Sequence, residues 1–511
     1  MADRLNPLNP LNPLTRLDTL LGRATMYRLV LVLLLVLTAY AFVLSLLGRL
    51  AFSPAELGAT LATAVVTSWG GTRVMAMMFR TRPHTESSFI TGLLLFFVMF
   101  PSDDPAGVGG IALAGLAAAA SKYLVAVRGR HIFNPAAFGA VAVTLTGLGA
   151  AAWWAANPAM LPVGLVCALV ILYRTRKLPM GAVFLGLAVG ILVVRLAAGG
   201  TDPAAALQLV LVSYPLVFLL GFMLTEPLTL PPRRWQQLLV AAVVAVVLAL
   251  QPSIGPVFLG PEFALLIGNA VAFAMGQRRR IRLRYTGLRR PTPTSVEVSF
   301  APEKPVRFRP GQYMELTLPH ARPDGRGVRR IFSISSPPGD GQIRFGLRLS
   351  DPPSSFKAAL LDLRPGSSVD ATTVAGDFVL PADPSVPLLL FAGGIGVTPF
   401  LSQLRSPEVK DQERDTVLVY VVRAPAELGF TDELAQFRVI LFCPGDPGPL
   451  PERWTHGGTQ FPTAAELRSL IPDVAERRPY VSGSPTHLSR AASVIREAGG
   501  KSIRTDAFLG Y

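Results

Sequence analysis

The sequence predicts a three-part chain: a polytopic α-helical membrane domain of about ten helices with an inverted repeat, then an antiparallel β-barrel, then an open parallel α/β domain. Three observations predict it. Apolar stretches suited to a bilayer follow one another up to Met275, with arginines gathered at their ends. After the basic run Arg278 to Arg284, short alternating segments separated by Gly/Pro turns take over. From Pro387 onward, strand-like runs alternate with helical ones.

Composition sets the outer limits. At 511 residues there is room for about three domains. Half the residues are hydrophobic and the mean hydropathy is +0.44, too apolar for an all-soluble chain. Cys167 and Cys443 are the only cysteines, which excludes a cysteine-ligated iron–sulfur cluster and a disulfide framework. The net charge of +15 comes largely from arginines bordering apolar stretches, so it points to orientation in a lipid bilayer and not to nucleic acid. The opening repeat Asn6 to Leu14 lacks the shape of a signal peptide.

The apolar stretches fall at 26–48, 53–79, 87–100, 108–127, 133–152, 159–173, 179–198, 206–225, 235–251 and 256–275. Arg80/Arg82, Arg128/Arg130, Arg174/Arg176/Lys177, Arg233/Arg234 and Arg278 to Arg284 lie on alternate connections. The intervening connections carry Asp103/Asp104, Trp153/Trp154, Asp202 and Ser253. That alternation predicts a multi-pass protein of a bacterial-type inner membrane, with both termini and everything after Met275 in the cytoplasm. The third stretch, Phe89 to Leu94, ends in Phe100-Pro101-Ser102-Asp103-Asp104-Pro105, and the eighth, Phe218 to Leu224, ends in Thr225-Glu226-Pro227. Two proline-ended segments five apart run in opposite directions, as in an inverted repeat whose short helices meet at a site.

Thr85 to Leu95, Arg130 to Gly139 (Arg-His-Ile-Phe-Asn-Pro-Ala-Ala-Phe-Gly), Phe222 to Pro227 and Gly260 to Asn269 occur in the order found in one membrane family. Over roughly residues 20–276 the chain resembles the Nqr-B/Rnf-D family, the membrane component common to the sodium-pumping NADH:quinone reductase and the Rnf complex. The resemblance implies a membrane domain that carries electrons through flavin. The family's Ser-Gly-Ala-Thr motif for esterified FMN is absent; the stretch 147–162 holds Trp153, Trp154 and Asn157 instead. What the resemblance leaves is non-covalent FMN or riboflavin, or a quinone. The histidines are His84, His131, His320, His456 and His487, with no pair on an apolar stretch, which excludes a bis-histidine haem relay.

In the second half, strands are expected at Val296 to Phe300, Tyr313 to Leu318, Ile331 to Ser335, Ile343 to Leu349 and Ser368 to Thr372, as in a small barrel. The run Pro387 to Phe391 enters the turn Gly393-Gly394-Ile395-Gly396-Val397-Thr398-Pro399, and a helix is expected from Pro399. Glycines there let backbone N–H groups approach a diphosphate, although such turns also occur as plain structure. Barrel and α/β domain together resemble the ferredoxin–NADP reductase superfamily over residues 282–511. The resemblance assigns Phe332 to stack on the flavin ring, Ser333 to flavin N5 and Arg330 to the FAD diphosphate, where the family has Arg-x-Tyr-Ser. It puts Ser354 and Ser355 on the same diphosphate, and Gly393, Gly394, Gly396, Thr398 and Pro399 on that of NAD(P)H. Ser482, where cysteine is usual, with Gly483 and Ser484, would border the nicotinamide. Asp506 fits the family's terminal acid, and Phe508 or Tyr511 would cover the flavin. No acid follows the glycine turn at the ribose-binding spacing, so that rule does not fix the coenzyme; Arg423 could face a 2′-phosphate but is more often a solvated strand end, and NADH is favoured over NADPH.

The expected domains are a tail at 1–25, the membrane domain at 26–276, the FAD-binding barrel at 277–383 and the NAD(P)-binding domain at 384–511. The expected function is a membrane-bound, NAD(P)H-dependent flavin oxidoreductase. Its acceptor is a flavin or quinone in the membrane domain, or an external quinone or redox protein. The alternative is an electron-transfer subunit of a multi-subunit, ion-coupled respiratory complex.

Overall fold

The computed structural model describes residues 25–508, apart from 82, 84, 128–129, 255–256, 276–279, 322–323, 325–327, 372–373 and 411–413. The Asn-Pro-Leu repeat, His84, Arg82, Arg128 and Tyr511 therefore lie outside the described residues. The chain forms two compact units, Thr25–Arg278 and Arg279–Tyr511.

The first unit is helical: α1 (Met26–Leu46), α2 (Pro54–Met78), α3 (Thr85–Val98), α4 (Pro105–Leu124), α5 (Pro135–Thr146), α6 (Leu161–Arg174), α7 (Leu178–Ala198), α8 (Pro203–Ser213), α9 (Leu216–Leu224), α10 (Arg234–Leu250) and α11 (Pro261–Ala274). Its punctuation is written in the sequence. Ser53-Pro54, Asp104-Pro105, Asn134-Pro135 and Asp202-Pro203 each place a capping side chain on the first free N–H groups and a proline where no N–H is needed. Asp104 is thereby explained as an N-cap. Glycines set close helix contact: a Cβ on Gly115 would lie 2.0 Å from Thr67 Oγ1, and one on Gly139 would lie 2.3 Å from the Ala114 carbonyl oxygen.

Helices occur at each of the ten expected stretches, but they differ in reach. Among the described residues α1, α4 and α7 are long and apolar enough to cross a membrane, and α8 with α9 makes a fourth span if that bent pair is one. Contrary to expectation, the eighth stretch is not continuous but broken by 49°. Pro215 has no N–H to continue the ladder, and the six residues from Leu219 to Leu224 widen into a π-helix.

The second unit begins with a six-stranded antiparallel barrel: β1 (Ile281–Thr292), β2 (Ser295–Pro302), β3 (Tyr313–Thr317), β4 (Arg329–Ser333), β5 (Ile343–Arg348) and β6 (Ser368–Ala371). The order is β4-β3-β6-β1-β2-β5, and a bridge between Ile334 and Phe345 joins the two ends. The basic run is partly strand: in β1, Arg284 lies opposite Ala301 of β2 and Arg282 opposite Asp370 of β6. Helix α12 (Ser355–Leu361) buries Phe356 and Leu360 into the barrel core.

A six-stranded parallel sheet follows: β7 (Leu388–Gly393), β8 (Thr416–Val421), β9 (Arg438–Phe442), β10 (Trp454–Gly458), β11 (Arg478–Gly483) and β12 (Arg504–Ala507), in the order β10-β9-β8-β7-β11-β12. β10 and β12 were not expected as strands. Trp454-Thr455-His456-Gly457-Gly458 lacks the apolar run of a central strand, because an edge strand is only partly covered. A 3₁₀ turn (Gly394–Val397) runs into α13 (Thr398–Leu404), so the helix starts before Pro399. From β7 the chain builds outward to β10, then returns to the other side of β7 for β11. That reversal is the topological switch point, where such sheets hold ligands beyond their strand ends.

Candidate active site

The C-terminal ends of β7 and β11 flank the switch point, and the expected residues sort into distinct roles there. Gly394 has a φ of +52° and open space where a Cβ would stand. Its backbone is the uncrowded one of the turn. Gly396 packs inward, since a Cβ would lie 2.4 Å from the Ser482 carbonyl oxygen and 2.7 Å from Gly483 Cα. Gly393 is covered by the His487 ring, whose Nδ1 lies 2.4 Å from the place a Cβ would take. Thr398 turns its hydroxyl back to the Ile395 carbonyl at 3.0 Å and rests its methyl on Gly346 of β5, seating the turn on the barrel. Ser402 reinforces that join through the Ser336 carbonyl at 2.7 Å.

Residues far apart in the sequence converge beside this turn. Ser482 of β11 stands opposite Asp506 of β12 in the parallel register. Ser333 Oγ donates to Asp506 Oδ2 at 3.0 Å across 173 residues. Phe508 is tied to the same spot by its backbone N–H on the Gly483 carbonyl at 2.9 Å. Ser482 Oγ is fully buried and has no hydrogen-bond partner among the described residues. A buried hydroxyl left unpaired is costly, and a ligand's polar edge would satisfy it.

Ser484 serves as the N-cap of α15 (Pro485–Glu497; α14, Ala464–Leu470, precedes it), accepting from His487 N at 3.3 Å, so its hydroxyl belongs to the helix. Sequence reasoning missed His487. Its ring lies between Phe391 and Phe461, each 5.5 Å away, with Nε2 buried and unpartnered among the described residues. Burial, aided by nearby Arg490 and Arg423, pushes this imidazole down to about 4, so it is neutral near pH 7.

One turn of barrel strand away lies a second cluster. Arg330 is buried, its guanidinium 5.2 Å over the Phe356 ring and 2.9 Å from Asp324. Phe332 is half-buried, 6.0 Å from Phe356. Ser354 caps α12 through Lys357 N, while Ser355 Oγ meets His320 and Asp324. Of the two serines only Ser355 reaches the arginine's partner. A stack surface, a buried cation and a hydroxyl along one strand suit the ring and diphosphate of FAD. The open Gly394 backbone and orphan Ser482 suit NAD(P)H.

In the first unit, the four motifs that carried the membrane resemblance come together around Glu226. Its Oε1 is 2.9 Å from His131 Nε2, and its Oε2 accepts from Asn134 Nδ2 at 2.9 Å. Asn134 N donates to Asn269 Oδ1 at 2.8 Å. Ser87, Thr91, Asn134 and Glu226 supply the polar side of one cavity, and Ile90, Leu94, Ile171 and Phe222 the apolar side. Trp153 and Trp154 fill the region of the missing FMN motif: Trp153 Nε1 bonds Glu262 Oε2 at 2.8 Å and Trp154 Nε1 bonds the Phe96 carbonyl at 2.6 Å.

In the second unit a barrel is followed by a parallel sheet, with these residues beside the sheet's switch point, and the chain is similar to curated oxidoreductases and reductase subunits. The chain is 31% identical over 228 residues to an NADPH oxidoreductase of Mycobacterium tuberculosis, covering 43% of this chain and 58% of that protein. It is 28% identical over 212 residues to a glycine betaine monooxygenase reductase subunit of Chromohalobacter salexigens, covering 39% and 56%. It thus spans little more than half of each of these curated relatives. Among solved structures, a ferredoxin NADP+ reductase from Neisseria gonorrhoeae with bound FAD and NADP aligns at 18% identity with a TM-score of 0.38, covering 45% of this chain and 98% of that one. No protein-family model matches the chain.

Proposed function

We propose that this chain is a membrane-bound, NAD(P)H-dependent flavin oxidoreductase that passes electrons from NAD(P)H through FAD to a further acceptor. The observation that carries the reading is the convergence of Ser333, Asp506 and Ser482 beside the Gly394 turn at the sheet's switch point. Bound FAD would supply the redox chemistry, accepting hydride from nicotinamide and releasing electrons one at a time. The protein's share is alignment and proton control. Phe332 and Arg330 would hold the flavin, the Gly394 backbone would hold the coenzyme diphosphate, and Ser482 would fix the nicotinamide edge. Ser333 directs its hydroxyl proton at Asp506, and half-exposed Asp506 exchanges protons with water.

The membrane assignment rests on where apolar surface is exposed. Exposed large hydrophobic side chains fall between Val32 and Phe273, with only Leu288 and Ile331 in the second unit among the described residues. Together with the arginine alternation, this supports a multi-pass inner-membrane protein with its reductase domain in the cytoplasm. The cavity at Glu226 supports a quinone or a non-covalent flavin as the acceptor within the membrane domain. Relatives named as monooxygenase reductase components support the other acceptor, a redox protein.

An anaerobic NADH and NADPH titration of the purified full chain, with flavin counted per polypeptide, tests the reading. One FAD bleached per chain is expected, and a second bleached flavin would point to a redox centre in the helical unit. A flavin that neither coenzyme bleaches would end the reductase reading. Co-purification of other redox subunits would favour the respiratory-complex alternative.

A further inference from the structure

The buried cation assigned to the FAD diphosphate already holds an anion of the chain's own. Asp324 Oδ1 lies 2.9 Å from Arg330 Nη2, with the arginine 2% and the aspartate 30% exposed. The same residue donates its backbone N–H to Ser355 Oγ at 2.8 Å. Arg330 and Ser355 are the two groups that would grip the diphosphate, and one residue occupies both.

His320 completes the cluster. Its Nδ1 is 2.8 Å from the Leu318 carbonyl and its Nε2 is 3.0 Å from Ser355 Oγ. A carbonyl only accepts, so Nδ1 carries the ring proton. The neutral ring then accepts the Ser355 hydroxyl proton at Nε2, and Ser355 has none left for a phosphate oxygen. The ring meets the edge of Phe356 at 6.3 Å, and Arg330 sits over that same phenyl group.

We propose that Asp324 is an internal competitor for the FAD diphosphate, and that protonation of His320 turns Ser355 toward the flavin. The inference rests on the FAD-reductase reading above. An incoming diphosphate either displaces the Asp324 carboxylate from Arg330 or lies against it, and in both cases like charges oppose binding. Asp324 therefore loosens FAD and makes it exchangeable. A protonated His320 donates from Nε2 to Ser355 Oγ, which frees the hydroxyl proton for phosphate and adds a positive charge. Among the described residues the charged groups near His320 are Asp324, on its own connection, and Arg330 of β4, across Phe356; Ser355 and Phe356 of α12 are neutral.

The test is flavin titration of full-length apoprotein, read by quenching of flavin fluorescence. Wild type, Asp324→Asn and His320→Gln are compared, with riboflavin as the ligand that lacks a diphosphate. Asp324→Asn is expected to tighten FAD roughly tenfold and leave riboflavin unchanged. Wild-type FAD affinity is expected to rise on acidification, and His320→Gln to abolish that rise. Thermal melting of each apoprotein reports folding separately. If Asp324→Asn does not fold, the His320→Gln pH profile decides, and a retained rise overturns the proposal. Weaker or unchanged FAD binding by folded Asp324→Asn overturns it too, making Asp324 an orienting group for Arg330. Wild-type protein that binds neither flavin overturns both this and the reductase reading; FAD binding indifferent to both substitutions overturns this alone.

Discussion

Ser333 and Ser482 border the same site yet differ in what they give the fold. Ser333 is paired with Asp506, whereas Ser482 buries a hydroxyl with no protein partner among the described residues. Ser482→Ala is therefore expected to keep or raise the melting temperature, worth about 1 kcal/mol, while slowing flavin reduction by NADH in stopped flow. Ser333→Ala is expected to slow that step by roughly a hundredfold and to gain no stability, since it removes the hydroxyl that donates to Asp506. His487 predicts a pH signature of the fold. Its proton is resisted in the native state, down to about 4, and taken up by the unfolded chain at about 6.5. Stability from this group is full above about 6.5 and is lost as pH falls toward 4. Melting temperatures across that window should fall less steeply in His487→Gln.

At the level of elements, the glycine turn is where local sequence and function coincide. Gly396→Ala would press a methyl onto the backbone of β11, which cannot swing aside as a side chain would. A loss of about 1–3 kcal/mol in stability is expected, with a raised KM for NADH. The turn, five of the six barrel strands and the strand–helix alternation were legible because each depends on local punctuation or a two-residue period. Edge strands β10 and β12 were not, since half-exposed strands need little apolar pattern. The site was legible through Arg330, Ser333, Ser482 and Asp506, but not through Asp324, His320 or His487. Nothing near those residues in sequence announces a partner, because their roles come from tertiary contacts such as Asp324–Arg330 and His487–Phe391.

For the whole molecule, the two units make separable demands. The second carries its own cores around the barrel and both faces of the parallel sheet, and among the described residues it exposes few large hydrophobic side chains. A chain starting at Arg280 is expected to be soluble, bind FAD and reduce a small artificial acceptor at close to the parent rate. If the proposed acceptor lies in the helical unit, transfer to it should vanish. Retention of full transfer to the physiological acceptor would reduce the helices to an anchor.

The outermost strand has one more implication. β12 pairs with β11 alone, so its four residues hang on a single ladder of hydrogen bonds, yet Asp506 rides on them. Ending the polypeptide at Arg504 would remove Asp506 while the five inner strands keep their ladders. A variant so shortened should accordingly lose turnover while near-ultraviolet dichroism reports no collapse, so it would pass as intact by every test of folding and fail only at the bench of the kineticist.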